Sequence, residues 1–495
     1  MSTHTKQHDL NHLLSGISHE MLSGTQNASI SKIVIDSRKV TKGALFVCIR
    51  GLNVDGHRYI MEAVQAGASA ILIEDKAQAP NNNGVSIPII YTENTRKAMG
   101  TIAAHFYNNP AKRMRLIGVT GTNGKTTTTH FIENILRHTG RKTGLIGTAG
   151  VQVQGKTLDI PFATATTPDP LELHQIFAEM LRLGVQDVIM EVSSHALALY
   201  KMEGLTFEVG AFTNLTQDHL DFHGTMENYA QAKAELFARS KHAVFNADDP
   251  YTPIMMSKHS GGSRLLYSIE ADSDLQAIAV KNSSQGMNFD LTINANEQYF
   301  ALPVLGRFNV YNCLAAIGVA HLLGINTDKI RAGVAAIHHV PGRIQAIPNN
   351  RNFLVIVDYA HSPDGLENII KAVREMTTGR LITLFGCGGD RDKEKRPQMG
   401  IIAGNLSDHV IITSDNPRTE PPGEIISQIE AGIKSTATPY VVYENRREAI
   451  FAGIALLNKN DALIIAGKGH EDYQIIGTTK HHFDDCEVAH EALNN

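Results

Sequence analysis

The chain has 495 residues, enough for about three domains at the usual ~150 residues each. A formal net charge of -5 leaves no basic surplus for nucleic acid and no acidic tail. The four cysteines (Cys48, Cys313, Cys387, Cys486) show no CxxC spacing, no apolar run is long enough to span a bilayer, and "MSTHTKQHDLNHLL" lacks the apolar core of a signal peptide; reduced thiols and a cytoplasmic protein without nucleic-acid partner or membrane insertion are expected.

Along the chain, "KIVID", "ALFVCI", "SAILIE" and "PIIY" read as short strands, separated by helical patches such as "YIMEAVQAGA". That alternation is α/β. "APNNNGVSIP" reads as a surface loop. A helix, "NTRKAMGTIAAHFY", leads to "NNPAKRM", where Asn and Pro mark a boundary near residue 110. A buried strand, "RLIGVT", opens a second region with "GLIGT", "DVIMEVSS", "VGAFTNL" and "HAVFNAD". "LTINANEQYFALP" alternates as antiparallel strands do and predicts a small side sheet. The helix "NVYNCLAAIGVAHLLG" precedes "HHVPGR", a second boundary near 340. The third region runs through "FLVIVDYAHSPDG", "RLITLFGCGG", "HVIITSDN" and "DALIIAGKG", each a strand entering a polar or Gly-rich loop. Open α/β sheets bind ligands beyond the carboxyl ends of their strands. The expected domains are 1–109, 110–341 and 342–495.

The strongest local signal is "LIGVTGTNGKTTTTHFIENIL". A strand feeds a Gly-containing loop that ends in Gly-Lys-Thr and then a helix, so backbone N–H groups and the helix N-terminus are arranged to wrap phosphate oxygens. Lys125 is expected at the β/γ-phosphates and the Thr126 hydroxyl on Mg²⁺. The strict phosphate-loop spacing wants Gly where Val119 stands. "VQDVIMEVSSHAL" ends a strand on Glu191, an acid able to hold Mg²⁺ or simply to be solvated. "FTNLTQDHLDFHG" offers Asp218, His219, Asp221 and His223 as metal ligands or helix caps, with capping the stronger reading. Lys233 in "NYAQAKAELF" reads as a solvated lysine on a surface helix. Asn309 and Asn312 share one helix face, as a purine reader or as caps. Asp358 in "DYAHSPDG" is a ribose ligand or a turn residue.

In order, "TGTNGKTT", "EVSSHAL", "FTNLTQDHLDFHG", "GRFNVYN", "VPGR", "DYAHSPDG", "GCGGDRDKEKR", "DNPR" and "GKGHEDYQ" resemble the Mur ligases, and "DSRKVTKGALFVCIRGLNVDGHRYI" extends the likeness to nearly the whole chain. The resemblance implies three α/β domains: an N-terminal UDP-binding domain, a central phosphate-loop ATPase-like domain with a parallel sheet, and a Rossmann-like C-terminal domain. It implies a monomer that makes an amide bond at the expense of ATP, with Mg²⁺, on UDP-N-acetylmuramoyl-L-alanyl-D-glutamate, through an acyl phosphate. Thr120, Gly121, Thr122, Asn123, Gly124, Lys125 and Thr126 become the phosphate loop. Glu191, His219 and a carbamylated Lys233 become metal-site and catalytic residues, which replaces the solvated-lysine reading. Asn309 and Asn312 match the adenine side, Asp358 the ribose side and Arg343 a phosphate contact. Ser37, Leu52, Asn53 and Val54 match the uridine site, and Thr166, Thr167, Ser193 and Lys201 the sugar and peptide. Lys201 stands where relatives often have Arg, and Lys cannot make the same bidentate pair.

"TSDNPRTEPP" sets an acid, an amide and a guanidinium at the end of a strand. An ordinary turn uses Asp, Asn and Pro freely but has no need of Arg. A planar guanidinium suits the distal carboxylate of meso-diaminopimelate and repels the ammonium of L-lysine. The resemblance assigns Arg391, Asp415, Asn416, Pro417, Arg418, Gly467 and Glu471 to that amino acid. The competing readings are L-lysine as the added amino acid, a folylpolyglutamate synthetase, a Mur ligase for a different step, and a non-catalytic nucleotide sensor. The bland reading of Arg418 is a surface pair with Glu420.

Overall fold

The computed structural model describes residues 7–51, 54–80, 85–160, 162–164, 166–283, 286–293, 296–337, 340 and 342–494. Two compact units divide the chain: Met1–Gly118 with Lys142–Glu208, and Val119–Arg141 with Val209–Asn495. The strand Arg115–Thr120 carries the chain from the first into the second.

In the first unit, the strands Lys32–Val34, Ala44–Val47, Ala70–Ile73 and Ile89–Tyr91 pair in parallel, and Glu20–Ser23 adds an antiparallel edge. Ala44–Val47 and Ala70–Ile73 are buried at every position, as strands covered on both faces must be. The helix Thr95–Phe106 starts where the Asn94 side chain accepts the Lys97 N–H at 2.9 Å, and it buries Ala98, Met99, Ile102 and Ala103. The same unit holds Thr143–Gly147 paired in parallel with Asp187–Glu191 and antiparallel with Gly150–Val153. A capping box of Asp169 and Glu172 opens the helix Pro170–Arg182.

In the second unit, the strands Phe207–Phe212, Ser240–Asn246 and Arg264–Ser268 are successive neighbours. The expected side sheet is not separate. Leu275–Ser283 pairs in parallel with Arg264–Ser268, then antiparallel with Gly286–Ile293, which pairs with Asn296–Leu302. The antiparallel strands therefore extend the parallel run at its edge.

The last part of this unit is a six-stranded sheet in the order Gln345–Ala346, Leu354–Asp358, Ala462–Ala466, Leu381–Phe385, His409–Thr413, Tyr440–Tyr443, parallel except for the first strand. The helix Pro363–Arg374 buries Leu366, Ile369, Ile370 and Val373, a 3.6-period stripe. Each fully buried side chain of that size contributes about 1.5–3 kcal/mol. The helices Lys395–Leu406 and Pro422–Ile433 meet along glycines. A Cβ on Gly432 would stand 1.9 Å from the Pro397 carbonyl oxygen, and one on Gly400 would stand 2.4 Å from that of Ile429.

Candidate active site

The loop expected to bind phosphate, Thr120–Thr126, lies in the second unit and is braced by its own neighbours. Gly121 has φ +153 and its missing Cβ leaves room for Thr213 Oγ1, which would otherwise be 1.8 Å away. The Thr213 hydroxyl donates to the Asn123 carbonyl at 2.6 Å, and Asn214 Oδ1 accepts the Asn123 N–H at 2.9 Å. Gly124 has φ +83 and lies against the Asn312 amide, whose Oδ1 would be 2.2 Å from an added Cβ. Asn312 Nδ2 donates to Asn309 Oδ1 at 3.0 Å, and Asn309 Nδ2 donates to the Leu305 carbonyl at 2.7 Å. These two amides underpin the loop as it enters the helix Lys125–His138.

Lys125 Nζ folds back on the Gly121 and Thr122 carbonyls at 2.9 and 2.8 Å. Lys233 reaches the same Gly121 oxygen at 2.7 Å. Lys233 is buried, 1% exposed, on the helix Met226–Ala234, so the surface-helix reading fails. Its ammonium lies 4.4 Å from the centre of the Tyr229 ring. Burial first, and the charge of Lys125 second, hold its pKa well below that of an ordinary lysine, against the pull of Asp218. Burial disfavours the charged form, and the uncharged amine is the form that reacts with carbon dioxide. His219 takes a left-handed backbone (φ 54) at the start of the short helix Leu220–His223, without a side-chain capping bond. Its N–H donates to Asp218 Oδ1 at 2.9 Å.

The C-terminal sheet contributes to the same region of this unit. Asn123 Nδ2 donates to Asp364 Oδ2 at 2.7 Å, and Arg343 Nη2 donates to the Thr126 hydroxyl at 3.2 Å. Arg343 also stacks over the Tyr359 ring, 4.7 Å from its centre. Asp358 is buried and accepts the N–H groups of Ile344 and Ala360, both at 2.8 Å. Burial pushes its pKa up, against Arg343.

The "DNPR" loop is more constrained than its sequence suggests. Arg418 has φ 53, a region an L-residue adopts only when held there. Its N–H donates to the Ile475 carbonyl at 3.1 Å and its own carbonyl accepts the Gly477 N–H at 2.8 Å. Its Nη1 donates to the Gly389 carbonyl at 2.8 Å. Glu420 pairs with Arg396 and Lys393 instead, so the surface-pair reading of Arg418 fails. Burial, with Arg391 second, lowers the Arg418 pKa. Asn416 Nδ2 donates to Glu471 Oε2 at 2.8 Å. Gly467 has φ +118, and an added Cβ would stand 2.6 Å from Asp415 Oδ2. Pro417 lies beside Gly389, whose added Cβ would be 1.9 Å from the Pro417 carbonyl oxygen. Arg391 Nη1 donates to the Asp390 carbonyl at 2.9 Å. Sequence reasoning passed over Lys468, fully buried between Asn416 Oδ1 (3.4 Å) and Glu471 Oε2 (3.3 Å), and also bonded to the Tyr473 carbonyl. The signal was present: a lysine inside "AGKGHED".

The first unit gathers a second group. Glu191 is 1% exposed and ends its strand as expected. It accepts from the Thr148 N–H at 2.9 Å and from the Thr148 hydroxyl at 3.0 Å. Thr166 Oγ1 lies 3.3 Å from Thr148 Oγ1; Thr167 Oγ1 donates to the Glu191 carbonyl at 2.9 Å and lies 3.3 Å from Ser193 Oγ. Lys201 Nζ pairs with Asp169 Oδ1 at 2.8 Å. Ser37 is buried at the start of the turn Ser37–Lys39, and Val54 is exposed. Leu52 and Asn53 lie outside the described residues. No helix among the described residues is long and apolar enough to cross a membrane.

Residues 119–320 match the Mur ligase middle domain, 342–469 the Mur ligase glutamate ligase domain, and 29–107 the Mur ligase family catalytic domain. The UDP-N-acetylmuramoyl-L-alanyl-D-glutamate--2,6-diaminopimelate ligase of Caldanaerobacter subterraneus is 45% identical over 483 residues, 97% of this chain and 98% of that protein. The chain belongs to the Mur ligase family. The Clostridium acetobutylicum relative, ligase 1 of the same name, is 43% identical and covers 98% of this chain and 99% of its own. A solved Mur ligase structure of that name superposes with a TM-score of 0.68 at 30% identity, covering 99% of each chain. The folylpolyglutamate synthase of Mycobacterium tuberculosis, complexed with ADP and AMPPCP, shares the fold, with a TM-score of 0.64 at 16% identity, over 81% of this Mur ligase chain and 95% of its own.

Proposed function

We propose that this Mur ligase joins meso-diaminopimelate to UDP-N-acetylmuramoyl-L-alanyl-D-glutamate at the expense of ATP, in the cytoplasm, as a monomer, in the synthesis of peptidoglycan precursors. The observation that carries the amino-acid assignment is Arg418, held in a left-handed backbone beside the Asp415–Asn416–Glu471 group. Its guanidinium offers a planar fork to a distal carboxylate. Asp415 and Asn416 take the distal ammonium, and Arg391, Pro417, Gly467 and Glu471 complete the contacts.

The D-glutamyl carboxylate is a poor acyl donor, since its leaving group would be oxide or hydroxide. One of its oxygens attacks the γ-phosphorus of ATP, ADP departs, and an acyl phosphate remains. The diaminopimelate amine then attacks the acyl carbon, phosphate leaves with its electron pair, and the amine loses a proton. Thr120 to Thr126 wrap the phosphates, and Lys125 exchanges its two carbonyl partners for phosphate oxygens. Arg343 leaves the Thr126 hydroxyl for phosphate, Asn309 and Asn312 lie on the adenine side, and Asp358 serves the ribose. Ser37, Leu52, Asn53 and Val54 take the uridine, and Thr166, Thr167, Ser193 and Lys201 the sugar and peptide.

Within the second unit the side chains suit Mg²⁺: the Thr126 hydroxyl, the His219 imidazole and the buried Lys233, which carbon dioxide would convert to an anionic carbamate, a hard oxygen ligand; in the first unit Glu191 offers a buried carboxylate. Thr126, Glu191, His219 and carbamylated Lys233 are each proposed as residues that would hold Mg²⁺, which would neutralise phosphate charge. The three domains are assigned to 1–109, 110–341 and 342–495. Phosphate release from ATP tests the function. It is expected only with the UDP-sugar dipeptide and diaminopimelate together; release with ATP alone, or equal use of L-lysine, rejects it.

A further inference from the structure

Arg446 and Asp485 lie outside every motif used above. Both side chains are fully buried. Arg446 opens the helix Arg446–Ala455 and Asp485 the helix Asp485–Asn494. The guanidinium grips the carboxylate with two bonds, Nε to Oδ1 at 2.8 Å and Nη2 to Oδ2 at 2.6 Å. It does not stop there. Nη2 also donates to the Ala466 carbonyl at 3.0 Å, and Nη1 to the Ser414 carbonyl at 3.4 Å.

Those two carbonyls stand at particular places. Ser414 immediately precedes Asp415, and Ala466 immediately precedes Gly467. The strands that end there, His409–Thr413 and Ala462–Ala466, are not neighbours, because Leu381–Phe385 lies between them. No ladder hydrogen bond links their ends directly. The Arg446 guanidinium spans the intervening strand and ties the two loop origins together from behind. In front, the loops meet closely, since Gly467 has no room for a Cβ beside Asp415 Oδ2. Asn416, Lys468 and Glu471 bridge the loops beyond that point. Burial pulls the Arg446 pKa down, but pairing with Asp485 outweighs it, with further help from Asp415 and Glu471, and the cation is retained.

We infer that the Arg446–Asp485 pair is a positioning device for the third substrate: it sets the distance between the Asp415 and Gly467 loops, and so the fit of the amino acid's distal end. Neither residue touches substrate. Asp485 orients the guanidinium, and the guanidinium's remaining N–H groups hold the two loops. A lysine cannot replace it, because one ammonium has no planar fork to grip the carboxylate while spanning two carbonyls. The inference rests on the diaminopimelate reading of the site.

The test compares the full-length enzyme with Arg446→Lys and with the double variant Arg446→Met/Asp485→Leu. KM for each of the three substrates, kcat and thermal unfolding are measured. Replacing a buried ion pair with apolar residues of similar volume commonly preserves folding, so the double variant separates positioning from stability. Removing such an outer support is expected to raise KM for diaminopimelate about tenfold in both variants. KM for ATP and for the UDP-sugar dipeptide, and kcat at saturation, are expected to stay near wild type. Folded variants with unchanged diaminopimelate KM overturn the inference, as do three KM values that rise together. Loss of folding in both variants also overturns it, because the pair then serves the domain as a whole. A wild-type enzyme that releases no phosphate in response to diaminopimelate fails the functional reading itself, a distinct result seen before any variant is made.

Discussion

The Glu420 carboxylate accepts two hydrogen bonds from Arg396, Nη1 to Oε2 and Nη2 to Oε1, each 2.9 Å long. Glu420 Oε1 also accepts the Asp390 N–H at 2.5 Å. One acid thereby joins the "GGDRD" loop to the "DNPR" loop, and Arg418 keeps its own guanidinium clear of it.

That arrangement sets a pH dependence. Pairing with Arg396, the largest cause, brings the Glu420 pKa down from 4.5 to about 2. A depressed carboxylate stabilises the fold above its unfolded pKa, and the contribution disappears as pH falls through the folded value. Acid unfolding should therefore steepen between about pH 4.5 and about pH 2. Glu420→Gln should flatten that part of the curve and leave the region above it parallel to wild type. Unfolding followed by circular dichroism across the range checks this.

Arg418→Ala should remove discrimination between diaminopimelate and L-lysine. The distal carboxylate would then be buried without its partner, which costs about 2–5 kcal/mol. Competition between the two amino acids for product, read by mass, measures the change. Retained discrimination would move the specificity away from Arg418.

Lys233→Ala should be folded but lose turnover on the order of 100-fold or more, the scale at which ligand-shell losses act on metal sites. Short-chain carboxylates should restore part of it by filling the place of the carbamate. Intact-protein mass and rescue kinetics read the two halves of this expectation. No rescue, with an unmodified lysine in active wild type, counts against the carbamate.

Lys125→Ala should lower kcat by about 10²–10³-fold, the usual cost of losing one charge-stabilising donor. Its half-buried side chain bonds the Gly121 and Thr122 carbonyls, so thermal unfolding should barely move. A variant that turns over normally would take the β/γ-phosphates away from this residue.

The strand, Gly-containing turn and helix around Thr120–Thr126 were legible because the pattern is local: strand, glycines, lysine and helix follow one another in "GVTGTNGKTT". Lys233 was not legible from its helix. Its environment is made by Gly121, 112 positions upstream, and no periodicity in "YAQAKAELF" carries that information. Arg396 and Arg446 failed to stand out for the same reason. Each lies among other charges, in "DKEKR" and "ENRRE", and only the tertiary packing shows which cation is buried. The antiparallel strands after residue 275 were visible as strands, but their attachment to the parallel sheet depends on Tyr267 and Leu275 pairing, a matter of sheet order rather than alternation.

The glycine seam between Lys395–Leu406 and Pro422–Ile433 has a consequence for how this enzyme can change. With Gly400 against Ile429 and Gly432 against Pro397, the two helices have no slack along which to slide. The "GGDRD" loop enters one helix and the "DNPR" loop enters the other, so the jaws of the proposed amino-acid pocket are mounted on a single stiff handle. A lineage that drifts toward a larger or smaller third amino acid cannot simply open or close the jaws. It must exchange the teeth, residue for residue, and leave the handle alone.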